Sequence, residues 1–315
     1  MNFQQLRSVR EAVRRGFNLT EVAQALHTSQ PGVSRQIREL EDELGVEIFV
    51  RVGKRLTGLT QPGAAVLPWV EKLLQDAESL QRASEEFTLG QTGVLSIAAT
   101  HSQARYALPP AVRDFRATHP QVKLQMHQGS PEQIMQMLIT GVADIGIASH
   151  VLADRPELVA LPCYRWTHSI IVPEGHALLD GPVTLQRLAE FPVITYEVGL
   201  TGRESIDDAF RRANLRPDMV LTAMDADVIK TYVELGLGVG IVASIALEDE
   251  PEDSKLRAID ARNLFSINTT SVAVRRGGLL RGFAYDFIET FAGHLTRDVV
   301  EVAQRAPQDI EQAPL

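Results

Sequence analysis

The chain has 315 residues, of which 44% are hydrophobic and 23% charged, a composition typical of a globular protein of about two domains. No run of 18 apolar residues occurs and the N-terminus lacks a signal-peptide core, so we expect no membrane span, no secretion and a cytoplasmic location. A single cysteine, Cys163, excludes an internal disulfide. The net charge of −9 at first argues against a nucleic-acid partner.

Two short amphipathic helices are predicted at the N-terminus. Apolar residues recur at helical spacing from Phe3 to Val13, and Gly16 closes this first helix. Asn18 followed three residues later by Glu21 resembles a capping box, which predicts the start of a second helix. A tight turn then leads into a third helix.

The third helix is the most informative segment of the chain. Pro31 is tolerated in its first turn because the amides there have no intrahelical acceptor, and Gly45 ends it. Apolar residues at helical spacing bury one stripe, so polar side chains at the N-terminal end of the helix face outward. Two helices joined by so tight a turn are typical of a helix-turn-helix that enters a DNA major groove.

Residues 48–60 predict a short hairpin with three cations near its tip, a wing of the kind that grips DNA phosphates. Residues 1–60 carry nine Lys/Arg and seven Asp/Glu, a net charge of +2, so the acidic charge lies elsewhere in the chain. A solvated helix face would explain each polar residue singly, but the combination of helices, turn and wing favours DNA binding. The predicted DNA contacts are Gln30, Pro31, Ser34, Arg35, Arg38, Arg51 and Lys54.

A long helix is predicted over residues 61–88, after a DNA-binding domain at residues 1–60. Apolar residues in it follow an a/d repeat that indicates pairing with a second copy, with packing on its own domain as the alternative; they are Val66, Val70, Leu73, Ala77, Leu80 and Phe87. Pairing would place two helix-turn-helix domains on one pseudo-palindromic DNA site. Pro68 costs a helix about 3 kcal/mol unless a kink absorbs it, so we expect a bend near Ala64.

Residues 89–305 alternate strands and helices, an α/β pattern with buried parallel strands, after a hinge at 89–93. The predicted strands are 94–98, 122–127, 143–148, 168–172, 192–196, 219–223, 238–243 and 271–274. The predicted helices are 131–139, 203–214, 226–235 and 279–291. Residues 306–315 are polar with two prolines, which predicts a disordered tail.

Two strand-to-helix junctions in this part predict a ligand site. Residues 100–103 and 201–203 are rich in hydroxyl groups, and each precedes a helical segment. In an α/β fold such junctions lie at the carboxyl ends of strands, where ligands bind, and a helix N-terminus attracts an anion without a basic side chain. If the junctions belong to different lobes, they would hold a small oxyanion between them with neutral donors. Helix capping alone would explain any one of the hydroxyls.

Four motifs near the N-terminus carry a family resemblance. They are SQPGVSRQI at residues 29–37, LEDELG at 40–45, Phe49-x-Arg51 and Leu59-Thr60-x-x-Gly63. This combination resembles the LysR-type transcriptional regulators. The resemblance implies a winged helix-turn-helix, a long dimerisation helix and a two-lobed α/β effector domain like the periplasmic binding proteins.

Further motifs occur through the rest of the chain. They are THSQARYALP at 100–109, HQGSP at 127–131, LPCYRW at 161–166, TGR at 201–203, DADVIKTY at 225–232 and HLTRDVV at 294–300. They resemble the cysteine-regulon activator branch of that family, in which the cleft binds sulfate and the inducer is an acetylated serine. The resemblance implies ligand-binding roles for Thr100, Ser102, Gln103, Ser149, Trp166 and Thr201. Ser102 and Ser149 stand where threonine is more usual, so each keeps the hydroxyl donor and lacks a methyl.

The resemblance implies an activator of cysteine biosynthesis and sulfate assimilation genes that needs no cofactor. Its implied partners are promoter DNA, a second copy of the chain in a dimer or homotetramer, RNA polymerase, and an effector. Sulfate, O-acetylserine and N-acetylserine all remain open as effectors. Regulation of another sulfur source, such as alkanesulfonates, or by an unrelated small molecule, is the alternative.

Two other classes of protein are disfavoured. A stand-alone solute-binding protein would carry a signal peptide and no helix-turn-helix domain. An enzyme would need an assembled acid–base, nucleophile or metal site, and we find no such spacing. Asp225 and Asp227 are better explained as a helix cap and a first-turn charge, and Cys163 as a buried small hydrophobe than as a redox sensor.

Overall fold

The computed structural model describes residues 1–53, 55–89, 92–149, 155–200, 202–248 and 254–306, with the backbone alone at 82–83 and 85–89. Of the predicted site residues, Lys54 and Thr201 lie outside the described residues, as do residues 90–91 of the predicted hinge and the predicted tail beyond 306. The chain divides into two compact units, Met1–Glu85 and Glu86–Leu315. None of the described helices is long and apolar enough to cross a membrane.

The first unit is a winged helix-turn-helix followed by a long helix, as predicted. Its elements are α1 (Phe3–Arg14), α2 (Leu19–Ala25), α3 (Gln30–Leu44), β1 (Phe49–Val52), β2 (Arg55–Leu59) and α4 (Gln61–Leu89). The strands β1 and β2 pair antiparallel and form the wing.

Local capping residues set the helix boundaries in this unit. The Asn18 side chain accepts from the amides of Thr20 and Glu21 at the start of α2. Glu21 accepts from the Asn18 side-chain amide (2.7 Å) rather than from its backbone, so the predicted box is half formed. The Ser29 hydroxyl accepts from the Gly32 amide at 3.2 Å. Gly45 ends α3 with a φ of 68°, a left-handed conformation that favours glycine.

The long helix α4 divides its apolar residues between two faces, which corrects the predicted single seam. Val70 and Leu74 are buried in the core of the first unit, where they pack with residues of α1 to α3. Trp69, Leu73 and Leu80 are 66%, 41% and 74% exposed. The alternative that the helix packs on its own domain therefore holds for the face with Val70 and Leu74. The face with Trp69, Leu73 and Leu80 is not covered within the single chain. The helix runs continuously through Pro68, and the expected bend stays a prediction.

The second unit contains two five-stranded sheets, each covered by helices, which form two lobes. The first sheet has the order β4-β3-β5-β12-β6, with strands β3 (Gly93–Ala99), β4 (Val122–Gln128), β5 (Ile145–Ser149), β6 (Leu158–Trp166) and β12 (Asn268–Arg275). The second has the order β11-β7-β10-β8-β9, with strands β7 (His168–Pro173), β8 (Val193–Tyr196), β9 (Met219–Ala223), β10 (Val239–Ala243) and β11 (Leu256–Asp260). The helices are α5 (Leu108–Thr118), α6 (Pro131–Ile139), α7 (Leu185–Leu188), α8 (Arg203–Arg212), α9 (Ala226–Glu234), α10 (Gly282–Phe291) and α11 (Arg297–Arg305).

The chain passes between the sheets twice, at Thr167 and again between β11 and β12. The predicted parallel strands are present, since β3 lies parallel to β4 and β5, and β8 lies parallel to β9 and β10. The crossings add antiparallel pairs that were not predicted. The strand β12 lies antiparallel to β5 and β6, and β7 lies antiparallel to β10 and β11. All eight predicted strands and four predicted helices of this unit are present, whereas β6, β11, α5, α7 and α11 were not predicted. Pro162 inside β6 and the Pro109-Pro110 pair in α5 weaken the sequence signal for those elements.

Gly63, the last residue of the N-terminal motifs, allows the start of α4 to lie directly on Ile48, the residue before β1. A Cβ atom at Gly63 would lie 2.0 Å from the backbone oxygen of Ile48. The Thr60 hydroxyl, which accepts from the Gly63 amide at 2.9 Å, fixes this approach. Neither backbone segment can withdraw without losing hydrogen bonds.

We therefore expect Gly63→Ala to destabilise the first unit by about 2–3 kcal/mol, the usual effect of overpacking against backbone. Gly58→Ala is the matched control, since a Cβ there meets nothing within 4 Å. Urea unfolding followed by circular dichroism would measure both variants. Equal stability of the two variants would contradict the close approach.

Candidate DNA-reading surface and effector cleft

The N-terminal end of α3 presents most of the predicted DNA contacts to solvent. Gln30, Pro31, Arg35 and Arg38 are exposed and Ser34 is half-buried. The opposite stripe of the helix, Val33, Ile37 and Leu40, is completely buried. The polar residues are thus held on a rigid helix whose core is fixed by α1 and α2, as a recognition helix requires.

Arg35 has an internal partner on the same helix. Its Nε lies 2.7 Å from Glu39 Oε1, although the Arg35 side chain is 81% exposed. Hydrogen bonds from Arg35 and from Gln5 hold the pKa of Glu39 below its usual value. Glu39 keeps the guanidinium extended along the helix surface, and it also competes with any DNA group that Arg35 would contact.

Arg51 anchors the wing to α3 through Glu41. The Glu41 carboxylate is buried and accepts from the amides of Ile48 (2.9 Å) and Phe49 (3.1 Å) and from Arg51 Nη2 (2.7 Å). This carboxylate therefore satisfies the backbone between the recognition helix and the wing. Arg51 has a structural role here, and its predicted DNA contact stays a prediction.

In the second unit, Thr100 lies at the carboxyl end of β3, where a ligand site was predicted. Its amide donates to the backbone oxygen of Ile147 in the middle of β5. The side chain is 5% exposed, and Oγ1 has no hydrogen-bond partner among the described residues. A buried hydroxyl without a partner is energetically unfavourable unless something else satisfies it.

Gln103, Ser149 and Trp166 form one hydrogen-bonded group with a residue that we did not predict, Thr270 on β12. Gln103 Nε2 donates to Thr270 Oγ1 at 3.2 Å, and Ser149 Oγ lies 3.4 Å from the same atom. Trp166 Nε1 donates to Ser149 Oγ at 3.3 Å. Tyr164 donates its hydroxyl to Gln103. Three strands of the first lobe and the turn after β3 thus bring these side chains together, and only the tertiary fold reveals Thr270.

The other predicted junction lies at the start of α8 in the second lobe. Gly202 is the N-cap of this helix, with a φ of 83° that favours glycine. Arg203, next to it, is buried and donates from Nη1 to the backbone oxygen of Tyr196 (2.6 Å) and from Nε to Asp207 (2.8 Å). Arg203 therefore stabilises the junction and leaves the helix N-terminus as its available positive end.

Two cavities of about 290 and 340 Å³ lie where the two junctions approach each other. Thr100, Ser102 and Tyr196 line the smaller one, whereas Ser149 and Gly202 line the larger one, and Leu200 lines both. No lysine or arginine lines either cavity in the described part of the chain, but Glu204, Asp208 and Asp225 do. Any anion bound here would be held by hydroxyls and amides.

His168, at the start of β7, was missed by sequence reasoning. It is completely buried, and neither ring nitrogen has a partner among the described residues. Burial lowers the pKa of His168 to about 4, so the ring is neutral at neutral pH. A Cβ at position 202 would lie 2.4 Å from its Nε2, which shows why this junction requires glycine. No sequence pattern links two residues 34 positions apart in this way.

The side chains of His101, Asp225 and Asp227 could together bind a metal ion, because the atoms that would coordinate it lie within 4.8 Å of one another. Asp225 caps α9 by accepting from the Val228 amide, as predicted. Asp227 is paired with Lys230 (3.3 Å) and Arg105 (3.4 Å), so its charge is already neutralised. We therefore interpret the group as an ion-pair cluster.

Cys163 lies on β6 and donates its Sγ hydrogen to the backbone oxygen of Leu161 at 3.6 Å. Burial raises the pKa of the Cys163 thiol to about 12. A thiol of this kind holds no thiolate at neutral pH, which argues against a redox-sensing role.

The fold and the site define a DNA-binding protein with a ligand-receiving two-lobed domain, and comparison with known proteins identifies its family. Residues 3–64 match the bacterial regulatory helix-turn-helix protein of the lysR family, and residues 89–296 match the LysR substrate binding domain. The chain belongs to the LysR family of transcriptional regulators. It is therefore a transcriptional regulator, not an enzyme or a stand-alone solute-binding protein.

Curated relatives align over nearly the whole chain. The transcriptional regulator SsuR of Burkholderia cenocepacia is 55% identical, covering 94% of this chain and 96% of its own length. CysB of the same species is 52% identical, covering 96% and 97%. The regulator Cbl of Escherichia coli is 50% identical, covering 99% of both chains. The resemblance to the cysteine-regulon branch is therefore confirmed.

Solved structures agree on the fold. The cofactor-binding domain of the Cbl regulator is 45% identical and covers 69% of this chain and 96% of its own, with a TM-score of 0.66. A full-length OxyR variant from Pseudomonas aeruginosa covers 94% of both chains with a TM-score of 0.68. At 20% identity, the OxyR likeness supports the architecture alone.

We expect Glu41→Gln to destabilise the first unit by about 2–4 kcal/mol, because an amide cannot accept from two buried N–H groups and an arginine together. Asp42→Asn, an exposed change of the same kind one residue further on, is the control and should change stability by less than about 0.5 kcal/mol. Urea unfolding would measure both. A Glu41→Gln variant as stable as the control would refute the structural role of the carboxylate.

Proposed function

We propose that this chain is a cytoplasmic activator of cysteine biosynthesis and sulfate assimilation genes, controlled by a small oxyanion-bearing effector in the cleft of its second unit. The unpartnered, buried Thr100 hydroxyl in the wall of a cavity carries the proposal. Candidate effectors are sulfate, O-acetylserine and N-acetylserine. Regulation of alkanesulfonate use is the alternative.

Neutral donors from both lobes support an oxyanion ligand. Thr100 and Ser102 line the cleft from the first lobe, and the N-terminus of α8 begins at Gly202 in the second. A helix N-terminus carries about half a positive charge, so it favours an anion without a basic side chain. Because three carboxylates also line the cavities, the ligand needs several directed hydrogen bonds to outweigh their repulsion. We propose ligand contacts at Thr100, Ser102, Gln103, Ser149, Trp166 and Thr201.

The likeness of the motifs between residues 100 and 300 to the cysteine-regulon branch supports an effector that belongs to sulfur assimilation, either sulfate or an acetylserine. SsuR, CysB and Cbl share about half of their residues with this chain. The serines at 102 and 149 keep the donor where that branch has threonine, so an oxyanion would keep its hydrogen bonds in a wider pocket.

On the DNA side, we propose that Gln30, Pro31, Ser34, Arg35 and Arg38 contact the major groove, and that the wing with Arg51 and Lys54 contacts phosphate. The uncovered face of α4 supports self-association. Trp69, Leu73 and Leu80 would pack against the same helix of a second copy and place two recognition helices on one pseudo-palindromic promoter. A dimer or tetramer bound there would contact RNA polymerase.

Thr100→Val keeps the shape of the side chain and removes the unpartnered hydroxyl. We expect it to weaken binding of sulfate, or of whichever acetylserine binds, by about 1–3 kcal/mol in isothermal titration, with DNA binding retained. Thr290→Val is the control, since Thr290 is exposed on α10 and bonds within its own helix. If none of the three compounds binds the wild-type protein, the sulfur assignment fails while the family assignment stands.

Arg35→Ala should weaken binding to the promoter of a sulfate-uptake operon by about 1–3 kcal/mol if Arg35 contacts a base. Glu39→Gln tests the competing partner, because it releases Arg35 and removes a negative charge near the groove; it should bind the same promoter more tightly. Gel shifts against an unrelated sequence would separate base recognition from phosphate contact. Unchanged affinity of Arg35→Ala would remove Arg35 from the DNA contacts.

A further inference from the structure

Tyr106 joins the two lobes of the second unit. It belongs to a π-helical turn, Gln103–Ala107, that directly follows the cleft residues of the first lobe. Its ring packs against an apolar cluster of the second lobe that includes Tyr196, Ala226 and Ile229. π-Helical turns are rare and occur frequently at functional sites. The turn therefore connects the wall of the cleft with the other lobe.

The Tyr106 hydroxyl bonds a charged group across the lobe boundary. It donates to Asp227 Oδ1, in the first turn of α9, at 2.7 Å. Lys230 Nζ lies 3.3 Å and Arg105 Nε 3.4 Å from the same carboxylate. Both cations also lie over the Tyr106 ring, at 5.4 and 5.5 Å from its centre. His101 Nε2 lies 3.8 Å from Asp227.

The electrostatics of this contact favour a proton on Tyr106 and a charge on Asp227. Burial, together with the bond to Asp227, raises the pKa of Tyr106 far above its usual value. Burial alone would raise the pKa of Asp227, but the Tyr106 hydroxyl, Lys230 and Arg105 outweigh it and hold that pKa below its usual value. A neutral hydroxyl therefore donates to a full carboxylate, a stronger bond than one between neutral groups.

We propose that the Tyr106–Asp227 contact is a latch that holds the two lobes in this arrangement, so that separating the lobes requires this bond to break. Three residues earlier, Gln103 is tied to Thr270 on β12, so the turn is anchored in the first lobe. A displacement of the second lobe would therefore pull on Tyr106 through Asp227 and move the segment that carries Thr100 and Ser102. The latch stands on these contacts alone, whereas its effect on an effector rests on the proposed function.

Hydrogen exchange of the full-length protein, measured by mass spectrometry without ligand, tests the latch through Tyr106→Phe and Asp227→Asn. Tyr106→Phe keeps the ring and removes only the donor of this bond, whereas Asp227→Asn keeps the shape and also removes the charge that pairs with Lys230 and Arg105. We expect amides in residues 103–107 and 226–234 to exchange at least about tenfold faster in each variant, and the double variant to exchange no faster than Asp227→Asn alone. Tyr232→Phe is the matched control, since it removes an exposed hydroxyl from the same helix.

Faster exchange on both elements in both variants, with Tyr232→Phe unchanged, would support the latch. Three results would overturn it: variants that exchange at the wild-type rate, faster exchange only in the element that carries the substitution, or additive effects in the double variant. A failure of sulfate and acetylserines to bind the wild-type protein would contradict the proposed function and leave this result intact, because the exchange is measured without ligand.

Discussion

The effector unit depends on one constraint, the return of the chain from the second lobe to the centre of the first sheet. The strand β12 enters between β5 and β6 and brings Thr270 opposite Ser149 and Tyr164. Gln103 bonds the same hydroxyl, so one residue connects three strands and the loop after β3. If β12 paired elsewhere, Ser149, Trp166 and Gln103 would each lose a partner. The geometry of the cleft is therefore a consequence of sheet topology rather than of any local motif.

Electrostatics divides the chain between two tasks. Residues 1–60 carry a net charge of +2, whereas the remaining residues carry −11. Electrostatic attraction to DNA phosphates is therefore confined to the DNA-binding domain. No lysine or arginine lines these two cavities of the second unit among the described residues, so an anion bound there would rely on neutral dipoles. Neutral donors are directional, which suits recognition of one small anion, whereas a cationic pocket would accept many anions present in the cell.

Local interactions were predictable from sequence, whereas contacts between distant segments were not. Asn18, Ser29 and Gly45 act within four residues of themselves, so their capping roles follow from residue type and spacing. Thr270 and Gln103 are 167 positions apart in the sequence, and no periodicity predicts that they form a hydrogen bond. The a/d repeat of α4 misplaced Val70 because packing on another copy and packing on the same domain produce the same three-four spacing. The candidate ligand residues at 100–103 and 201–203 followed from the strand-to-helix pattern, whereas Ser149 and Trp166 were named only through a family resemblance.

A latch of this kind would be strong enough to hold the lobes and weak enough to be released. A hydrogen bond to a charged group contributes about 1.5–3 kcal/mol, and each 1.4 kcal/mol changes an equilibrium about tenfold. A ligand shifts the balance between lobe arrangements only if it binds one of them better. An anion held by Thr100 from one lobe and by the start of α8 from the other would meet this condition, because only one arrangement brings both sets of donors to it. An effector whose preference for that arrangement is of the same size as the latch energy would shift the lobe arrangement as its concentration rises.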